Sequence, residues 1–334
     1  MRRIMRLAGF PRFPLTTLPT PLTRARNLER ALGPGCPRIY IKRDDLTGIA
    51  FGGNKARKLE YVLADAIRNG STAVVTEGSV QSNHARLTAA AATLAGLKVV
   101  LVLDARHGAE VEGNLFLDRL MGVDVRIVPE APARAEAVAA VIEELRSAGE
   151  VPYAIPTGAS MPLGAIGYVA FVLELTKQLF EIGETPGRLY FASGSGGTHS
   201  GIVVGARAFS APFVPVGVSD GDPAAAMREK WLPLLRATAE LIGLDATFDG
   251  DDFVIEDRFY GKGYGEPTAD GLDAIRLLAR TEAVFLEPVY TGKAMAALLA
   301  HIREGSFAAD ESVVFLHTGG GPSLFAFRDE LVGP

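Results

Sequence analysis

The sequence predicts an α/β protein of two open, twisted, mostly parallel sheets with flanking helices, its active site lying in the cleft between two lobes. Three observations carry this expectation. From Ser71 onward, short β-branched runs alternate with longer helical patterns, which is the mark of parallel βαβ units covered by helices. Most helical patterns stop at a glycine, as at Gly96 and Gly122, where a left-handed residue ends a helix at little steric cost. The strands are too many for one small sheet, and no fixed-period repeat or low-complexity block points to a solenoid or propeller.

Taken in order, the β-branched run at 72–76 is the first strand, and the alanine-rich stretch 83–95 that ends at Gly96 is its helix. The apolar run 99–103 reads as a strand covered on both faces, followed by a helix at 111–121 that stops at Gly122. A strand at 123–128 and a helix at 133–148 repeat the unit up to Gly149. The short strand 152–155 precedes a long apolar helix at 163–179. Strand 188–192 leads into a small-residue helix at 200–209, and strand 213–218 into a helix at 224–242 that stops at Gly243. Helices at 268–280 and 293–303 precede the last strand, 312–316. In such sheets ligands bind at the carboxyl ends of the strands, so the turns after the strands are where chemistry is expected.

Composition narrows the partner. The 334 residues suffice for roughly two domains, and 48% hydrophobic with 22% charged residues is the profile of an ordinary globular protein. A net charge of -5, with no dense basic run after the first six residues, argues against nucleic acid or an anionic membrane and for a small metabolite. Cys36 is the only cysteine, which excludes intrachain disulfides and cysteine-based metal sites and fits a reducing cytoplasm. The start, Met1 to Arg6, is basic, but Gly9, Pro11, Arg12 and Pro14 break the stretch after it, so no signal peptide is expected. No run of about 18 uncharged apolar residues is present, so no membrane span is expected either.

Six segments carry candidate chemistry. At 51–60, Gly52, Gly53 and Asn54 bring Lys55 to the start of a helical pattern. A lysine with a lowered pKa can form a Schiff base, and pyridoxal phosphate uses such an anchor; the plainer alternative is a solvated basic face formed by Lys55, Arg57 and Lys58. Segment 76–84 crowds Gln81, Ser82, Asn83 and His84 into a strand-to-helix turn, where free amides hold ligands or where Ser82 or Asn83 simply caps the helix. Gly194, Ser195, Gly196, Gly197 and Thr198 follow a strand and open a helix. Glycines allow close approach and successive amides plus hydroxyls make an anion cradle; a flexible linker is the alternative, but neither a Walker loop nor a dinucleotide fingerprint is present. Tyr264 and Tyr290 sit in glycine- or proline-bounded loops, as acid/base or gating groups or as packed tyrosines. His317, Thr318 and Gly319 to Gly321 make a possible second anion loop.

In this order the segments resemble the D-cysteine desulfhydrase and 1-aminocyclopropane-1-carboxylate (ACC) deaminase family of pyridoxal-phosphate (PLP) enzymes, of the tryptophan synthase β-like, fold type II group. The resemblance runs from Leu18, Pro19, Thr20, Pro21 and Leu22 through Ile41 to Asp45, the Lys55 segment, Gln81 to His84, Tyr264, Tyr290 and Thr318 to Ser323, Leu324 and Phe325. It implies a large PLP-binding domain from 1–50 plus 165–334 and a small α/β domain from 51–164. It further implies that Lys55 carries the cofactor and shuttles the α-proton, with Asn54 beside it. Asn83 would bond the ring oxygen, and Gly194, Ser195, Gly196, Gly197 and Thr198 would hold the phosphate. Gln81, Ser82, Asn83, His84 and Thr318 would face the substrate, with Ser82, Tyr264 and Tyr290 on the reacting side. A homodimer is also implied.

Where the deaminases carry a glutamate that pairs with the pyridine nitrogen, this chain has Thr291; His84 replaces a glutamine and Thr318 a leucine. A neutral hydroxyl favours a weaker electron sink, which suits loss of a β-substituent better than opening of a cyclopropane ring. The resemblance therefore implies β-elimination, with D-cysteine giving pyruvate, ammonia and hydrogen sulfide. L-cysteate sulfo-lyase and ACC deaminase-type activities are the alternatives, as are β-chloro-D-alanine and D-serine elimination. Glu77, Gly78 and Ser79 are bulkier and more polar than expected for the family, which bears on substrate size or charge. An idle binding protein on the same scaffold would lack Lys55 or the 194–198 loop, and a nicotinamide dehydrogenase would show an early Gly-x-Gly-x-x-Gly turn; neither condition is met.

Overall fold

All seven expected strands form, and they distribute over two sheets. The computed structural model describes residues 7–106 and 108–332; the basic stretch Met1 to Arg6 lies outside the described residues. The smaller sheet takes β3 (Ala73–Ser79), β4 (Lys98–Asp104), β5 (Asp124–Val128) and β6 (Pro152–Ile155) in the order β5-β4-β3-β6, all parallel. The larger takes β1 (Leu22–Arg24), β2 (Arg38–Arg43), β7 (Arg188–Ser193), β8 (Val214–Ser219), β9 (Val254–Glu256) and β10 (Ser312–His317) in the order β1-β2-β10-β7-β8-β9. Only the β1–β2 pair is antiparallel. The chain leaves the larger sheet after β2, builds the whole smaller sheet, returns, and closes the gap between β2 and β7 with its last strand.

Three strands go beyond the sequence expectation. β1 and β9 are three-residue edge strands, too short to show a period. β2 carries Lys42 within it, yet its interior is buried because Lys42 finds Glu174 at 2.5 Å and the carbonyl of Thr20 at 2.6 Å. The interiors of the central strands β4 and β10, 99–103 and 313–316, are apolar, as strands covered on both faces must be.

The helices are α1 (Arg26–Leu32), α2 (Asn54–Arg68), α3 (Asn83–Leu94), α4 (Gly113–Leu120), α5 (Ala133–Ser147), α6 (Pro162–Ile182), α7 (Gly197–Phe209), α8 (Ala224–Ile242), α9 (Ala269–Glu282), α10 (Thr291–Arg303) and the short α11 (Arg328–Val332). By length and mean hydropathy (1.3) α6 is apolar enough to cross a membrane, but it packs against α2, α7 and α8 and buries most of its surface.

The expectation of a solvated basic face on α2 is overturned. Arg57 and Lys58 are 2% and 1% exposed, because α2 is enclosed by α3 and α6. Arg57 grips Asp44 with two bonds of 2.8 Å and Glu174 with two of 2.9 Å, while the Tyr168 hydroxyl donates to Asp44 at 2.7 Å. Paired on this scale, a guanidinium survives burial. The network ties β2, α2 and α6 together two residues from Lys55.

Candidate active site

Lys55 is the second residue of α2, and the chain reaches it through a strained turn. Ala50, Phe51, Gly52 and Gly53 all have positive φ, at 43°, 65°, 64° and 131°. A Cβ on Gly52 would overlap the carbonyl of Asp45, so no other residue fits there. The turn is held from three sides. Arg86 of α3 donates to the carbonyls of Ala50 and Gly52, Thr47 Oγ1 accepts from the Gly53 amide at 2.8 Å, and the Asn54 amide donates to the Thr318 carbonyl at 2.9 Å. Strain maintained by this many contacts is a property of a site rather than a loop.

The Lys55 amine donates to Asn54 Oδ1 at 2.9 Å, and Asn54 Nδ2 donates in turn to Thr198 Oγ1 at 3.0 Å. Burial pushes the Lys55 amine down to about 8; Asp220 opposes the shift, Arg86 adds to it, and Glu287 opposes it. A lysine near neutrality is a nucleophile and a base, which a solvated one is not.

Gly194, Ser195, Gly196, Gly197 and Thr198 run from the end of β7 into the first turn of α7, whose leading amides have no intrahelical acceptor. Gly196 is left-handed at φ 88°, and a Cβ there would enter the Trp231 ring. Ser160 braces the loop, donating to Ser195 Oγ at 2.7 Å and accepting from the Gly197 amide at 3.1 Å. Behind Gly197 lies Lys58, whose Nζ donates to the Gly158 carbonyl at 2.9 Å and has no carboxylate partner among the described residues. Burial drives its pKa well below the ordinary lysine value, with Lys55 adding to the effect. A buried amine without a carboxylate partner beside an amide cradle is half of an anion site.

On the opposite wall, Ser82 plays both parts considered for it. Its hydroxyl caps α3 by accepting from the Ala85 amide at 3.1 Å, and the side chain also lines the cleft. Asn83 is oriented by Asn114, which donates to its amide oxygen at 2.9 Å. His84 is buried behind them, and burial followed by the charges of Lys55 and Lys58 holds it neutral. Thr76 Oγ1 lies 2.8 Å from His84 Nε2 and donates its own proton to the Ile155 carbonyl at 2.7 Å, so Nε2 is the nitrogen that carries hydrogen.

The two loop tyrosines meet. Tyr290 donates to the Tyr264 hydroxyl at 2.7 Å, and Tyr264 reaches Ser79 Oγ at 3.3 Å. Burial raises both phenols above the ordinary value. Lys293 fastens this arrangement: its buried Nζ donates to the carbonyls of Asp220, Tyr260 and Gly263 at 2.8, 3.0 and 3.0 Å, stapling the Tyr264 loop to the end of β8.

The cleft, a cavity of about 310 Å³, thus brings together Asn54, Lys55, Ser82, Asn83, His84, Gly194, Ser195, Gly196, Thr198, Tyr264, Tyr290 and Thr318. Gly197 lies in the same loop with its amide turned to Ser160. Two expected side chains do not face it. Gln81 turns outward, accepting from the Asn114 amide at 3.0 Å and donating to the Glu112 carbonyl at 3.1 Å. Thr291 is fully buried at the start of α10, where its hydroxyl lies 3.1 Å from Glu287 Oε1 and accepts from the Glu287 amide at 2.9 Å. Glu287 itself accepts from the amides of Val289, Tyr290 and Thr291.

Sequence reasoning missed Lys58, Ser160, Asp220 and Lys293, and also Asp104, Arg106 and Arg134, which line the smaller sheet's side of the cleft. Lys58 had a legible signal: it lies three positions after Lys55 and so on an adjacent helix face. The others depend on which strand ends meet, which no local pattern states.

Pyridoxal phosphate fits these residues. A phosphate group suits the 194–198 amides, the Thr198 and Ser195 hydroxyls and the uncompensated Lys58, while a carbonyl carbon suits the near-neutral Lys55 amine.

Comparison with known proteins agrees. Residues 14–319 match the family described as pyridoxal-phosphate dependent enzyme. The chain is 40% identical over 330 residues to proteins named D-cysteine desulfhydrase from Salmonella typhi and from Salmonella newport, covering 96% of this chain and 98% of each relative. Among solved structures it is similar to an ACC deaminase homologue (36% identity, TM-score 0.89, 99% of both chains). A solved threonine deaminase (24% identity, TM-score 0.64, 90% of this chain and 92% of that one) shares the fold.

Proposed function

We propose, on the premise that this chain belongs to the pyridoxal-phosphate-dependent enzyme family and is a lyase acting on a small amino acid, that its reaction is β-elimination from D-cysteine. One D-cysteine and one water would give pyruvate, ammonia and hydrogen sulfide. The observation that carries this reading is the Lys55 amine, depressed to about 8, in one cleft with the Tyr264–Tyr290 hydroxyl pair. The similarity to proteins named D-cysteine desulfhydrase over 96% of the chain supports the substrate.

In this reading Lys55 and Asn54 hold the cofactor's aldehyde end, Asn83 its ring oxygen, and the 194–198 loop with Lys58 its phosphate. When bound, the cofactor supplies the electron sink that makes an α-proton acidic. The protein does the rest. Ser82 and the first amides of α3 hold the substrate carboxylate at a helix N-terminus. Lys55 Nζ takes the α-proton, and the pair of phenols, linked to Ser79 Oγ, relays protons at the β-position. Beside Thr291 the nearest carboxylate, Glu287, is engaged by three backbone amides, which favours a weak sink and hence β-elimination over ring opening. The ACC deaminase homologue keeps ring opening of ACC as the second reading.

A substrate panel tests the assignment. Purified enzyme given D- and L-cysteine, L-cysteate, D-serine and ACC is expected to release sulfide and pyruvate from D-cysteine with the highest kcat/KM; 2-oxobutyrate from ACC as the leading product would replace this reading with the second. Lys293→Met is expected to lower kcat/KM by about 10- to 100-fold, the loss expected when a group that positions catalytic side chains is removed, while the visible absorbance of the bound cofactor stays intact. Unchanged kinetics would remove the stapling role.

We place the reaction in the cytoplasm, in keeping with the single unpaired Cys36. We also propose a homodimer and a division of labour between a cofactor domain (1–50 with 165–334) and a small domain (51–164). The exposed apolar side chains of Phe51, Phe116, Leu120 and Phe325, on segments that adjoin through α3 and α4, are a surface suited to a second copy. Light scattering at twice the chain mass checks the dimer.

A further inference from the structure

The cleft wall contributed by the larger sheet carries one buried carboxyl that has no task in the reaction so far. Asp220 follows directly on β8, lines the cleft and is 7% exposed. Its side chain folds across Gly194, where a Cβ would overlap the carboxyl oxygens, so glycine at 194 makes room for Asp220 as well as for an anion. The adjoining Gly221 lies against the backbone of Tyr264, and the Asp220 carbonyl is one of the three that Lys293 holds. Asp220 is therefore fixed, and its position is set between the 194–198 loop and the reactive tyrosines. Apart from its own amide, no group among the described residues hydrogen-bonds its carboxyl. It is also the leading charge that opposes the depression of Lys55, so the two groups lie within each other's field.

The arginines on the facing wall do not supply a free positive charge to set against it. Arg106 is bound to Asp104 at 2.8 Å, and Arg134 lies 3.5 Å from Asp104 and 3.8 Å from Glu77. Substrate must place its α- and β-carbons near Lys55 Nζ, hence in the field of Asp220. Burial, opposed by Lys293, raises the Asp220 carboxyl to about 7, so above that pH a β-substituent that bears a permanent negative charge must either face the Asp220 carboxylate or hold it protonated, and each alternative costs binding. A thiol or hydroxyl meets no such cost.

We propose that Asp220 is a specificity-determining residue that admits amino acids with a neutral β-substituent and excludes those with an anionic one. The inference rests on the lyase reading of the site and selects within it, favouring D-cysteine over cysteate.

The test is a pair of measurements on holoenzyme, wild type against Asp220→Asn and Asp220→Ser. First, equilibrium binding of serine and aspartate, both enantiomers of each, is followed at about pH 8, one unit above the Asp220 carboxyl, by the change in cofactor absorbance. Wild type is expected to bind serine at least about 10-fold more tightly than aspartate, the factor that corresponds to one unit of forced pKa shift, and the variants to narrow this ratio to within about 3-fold. A ratio that neither substitution moves overturns the proposal. Second, sulfide release from D-cysteine and sulfite release from cysteate are compared; the kcat/KM ratio of cysteate to D-cysteine is expected to rise about 10-fold or more in both variants. An unmoved turnover ratio also counts against it. Wild type that releases nothing from D-cysteine defeats the D-cysteine assignment, while the binding ratio still decides the role of Asp220. Two variants of different size guard against one that fails to fold.

Discussion

Lys55→Ala is expected to lower sulfide release from D-cysteine by about 1000-fold or more and to remove the covalent attachment of the cofactor, because one amine serves as both anchor and proton carrier. Burial lowers this amine to about 8, so at pH 7 about one molecule in ten presents it unprotonated, against well under one in a thousand for a lysine at its ordinary value. The sign is direct: the reactive neutral form gains as pH rises through about 8 and is lost below it. Borohydride reduction of wild-type holoenzyme should leave the cofactor's mass on the peptide that contains Lys55, and the variant should show none. Cofactor is still expected to bind the variant non-covalently, since the 194–198 loop is untouched. Retention of activity within tenfold of wild type would overturn the assignment of Lys55.

Lys58→Met is expected to weaken cofactor binding by about 10- to 100-fold, the range of one hydrogen bond to a charged group, without lowering the melting temperature of the cofactor-free protein. The second half of this expectation is the discriminating one. Lys58 is buried with only the Gly158 carbonyl as partner, and its ammonium is penalised by burial first and by Lys55 second. Methionine fills similar space without that charge, so the empty fold loses little. Burial favours its neutral amine, so an anion that binds beside it is expected to draw in a proton. Affinity therefore falls as pH rises, and calorimetry in buffers of different ionisation enthalpy should register proton uptake that the variant lacks. Equal affinity in variant and wild type would assign Lys58 to packing alone.

The two lysines show what a sequence discloses. Lys55 is legible because its glycines mark a backbone conformation other residues avoid, and the 194–198 cradle because glycines between a strand and a helix have few other uses. Lys58 and Arg57 look solvated in the sequence because charge in a helical pattern ordinarily faces water; only Asp44, Glu174 and the Gly197 turn, distant in sequence, reveal why these two do not. Gln81 belongs by position with its cleft-lining neighbours, whereas side chains at the head of a helix diverge, and Asn114 captures this one. Thr291 stands at a helix start where Glu287 competes for its hydroxyl. Asp220 leaves no motif at all, since its importance comes from β8 lying next to β7.

The insertion of β10 between β2 and β7 has a consequence for biosynthesis. Asn54 is fastened through its amide to Thr318, one residue past β10, and the Lys55 turn leans on Gly319. A nascent chain can complete the smaller sheet early, but the larger one stays split until β10 has been made. Long-range closure of this kind is slow, and it leaves the edges of β2 and β7 open to wrong partners in the interval. The seat of the reactive lysine is thereby incomplete until β10 takes its place, because the strand that completes the sheet also completes that seat.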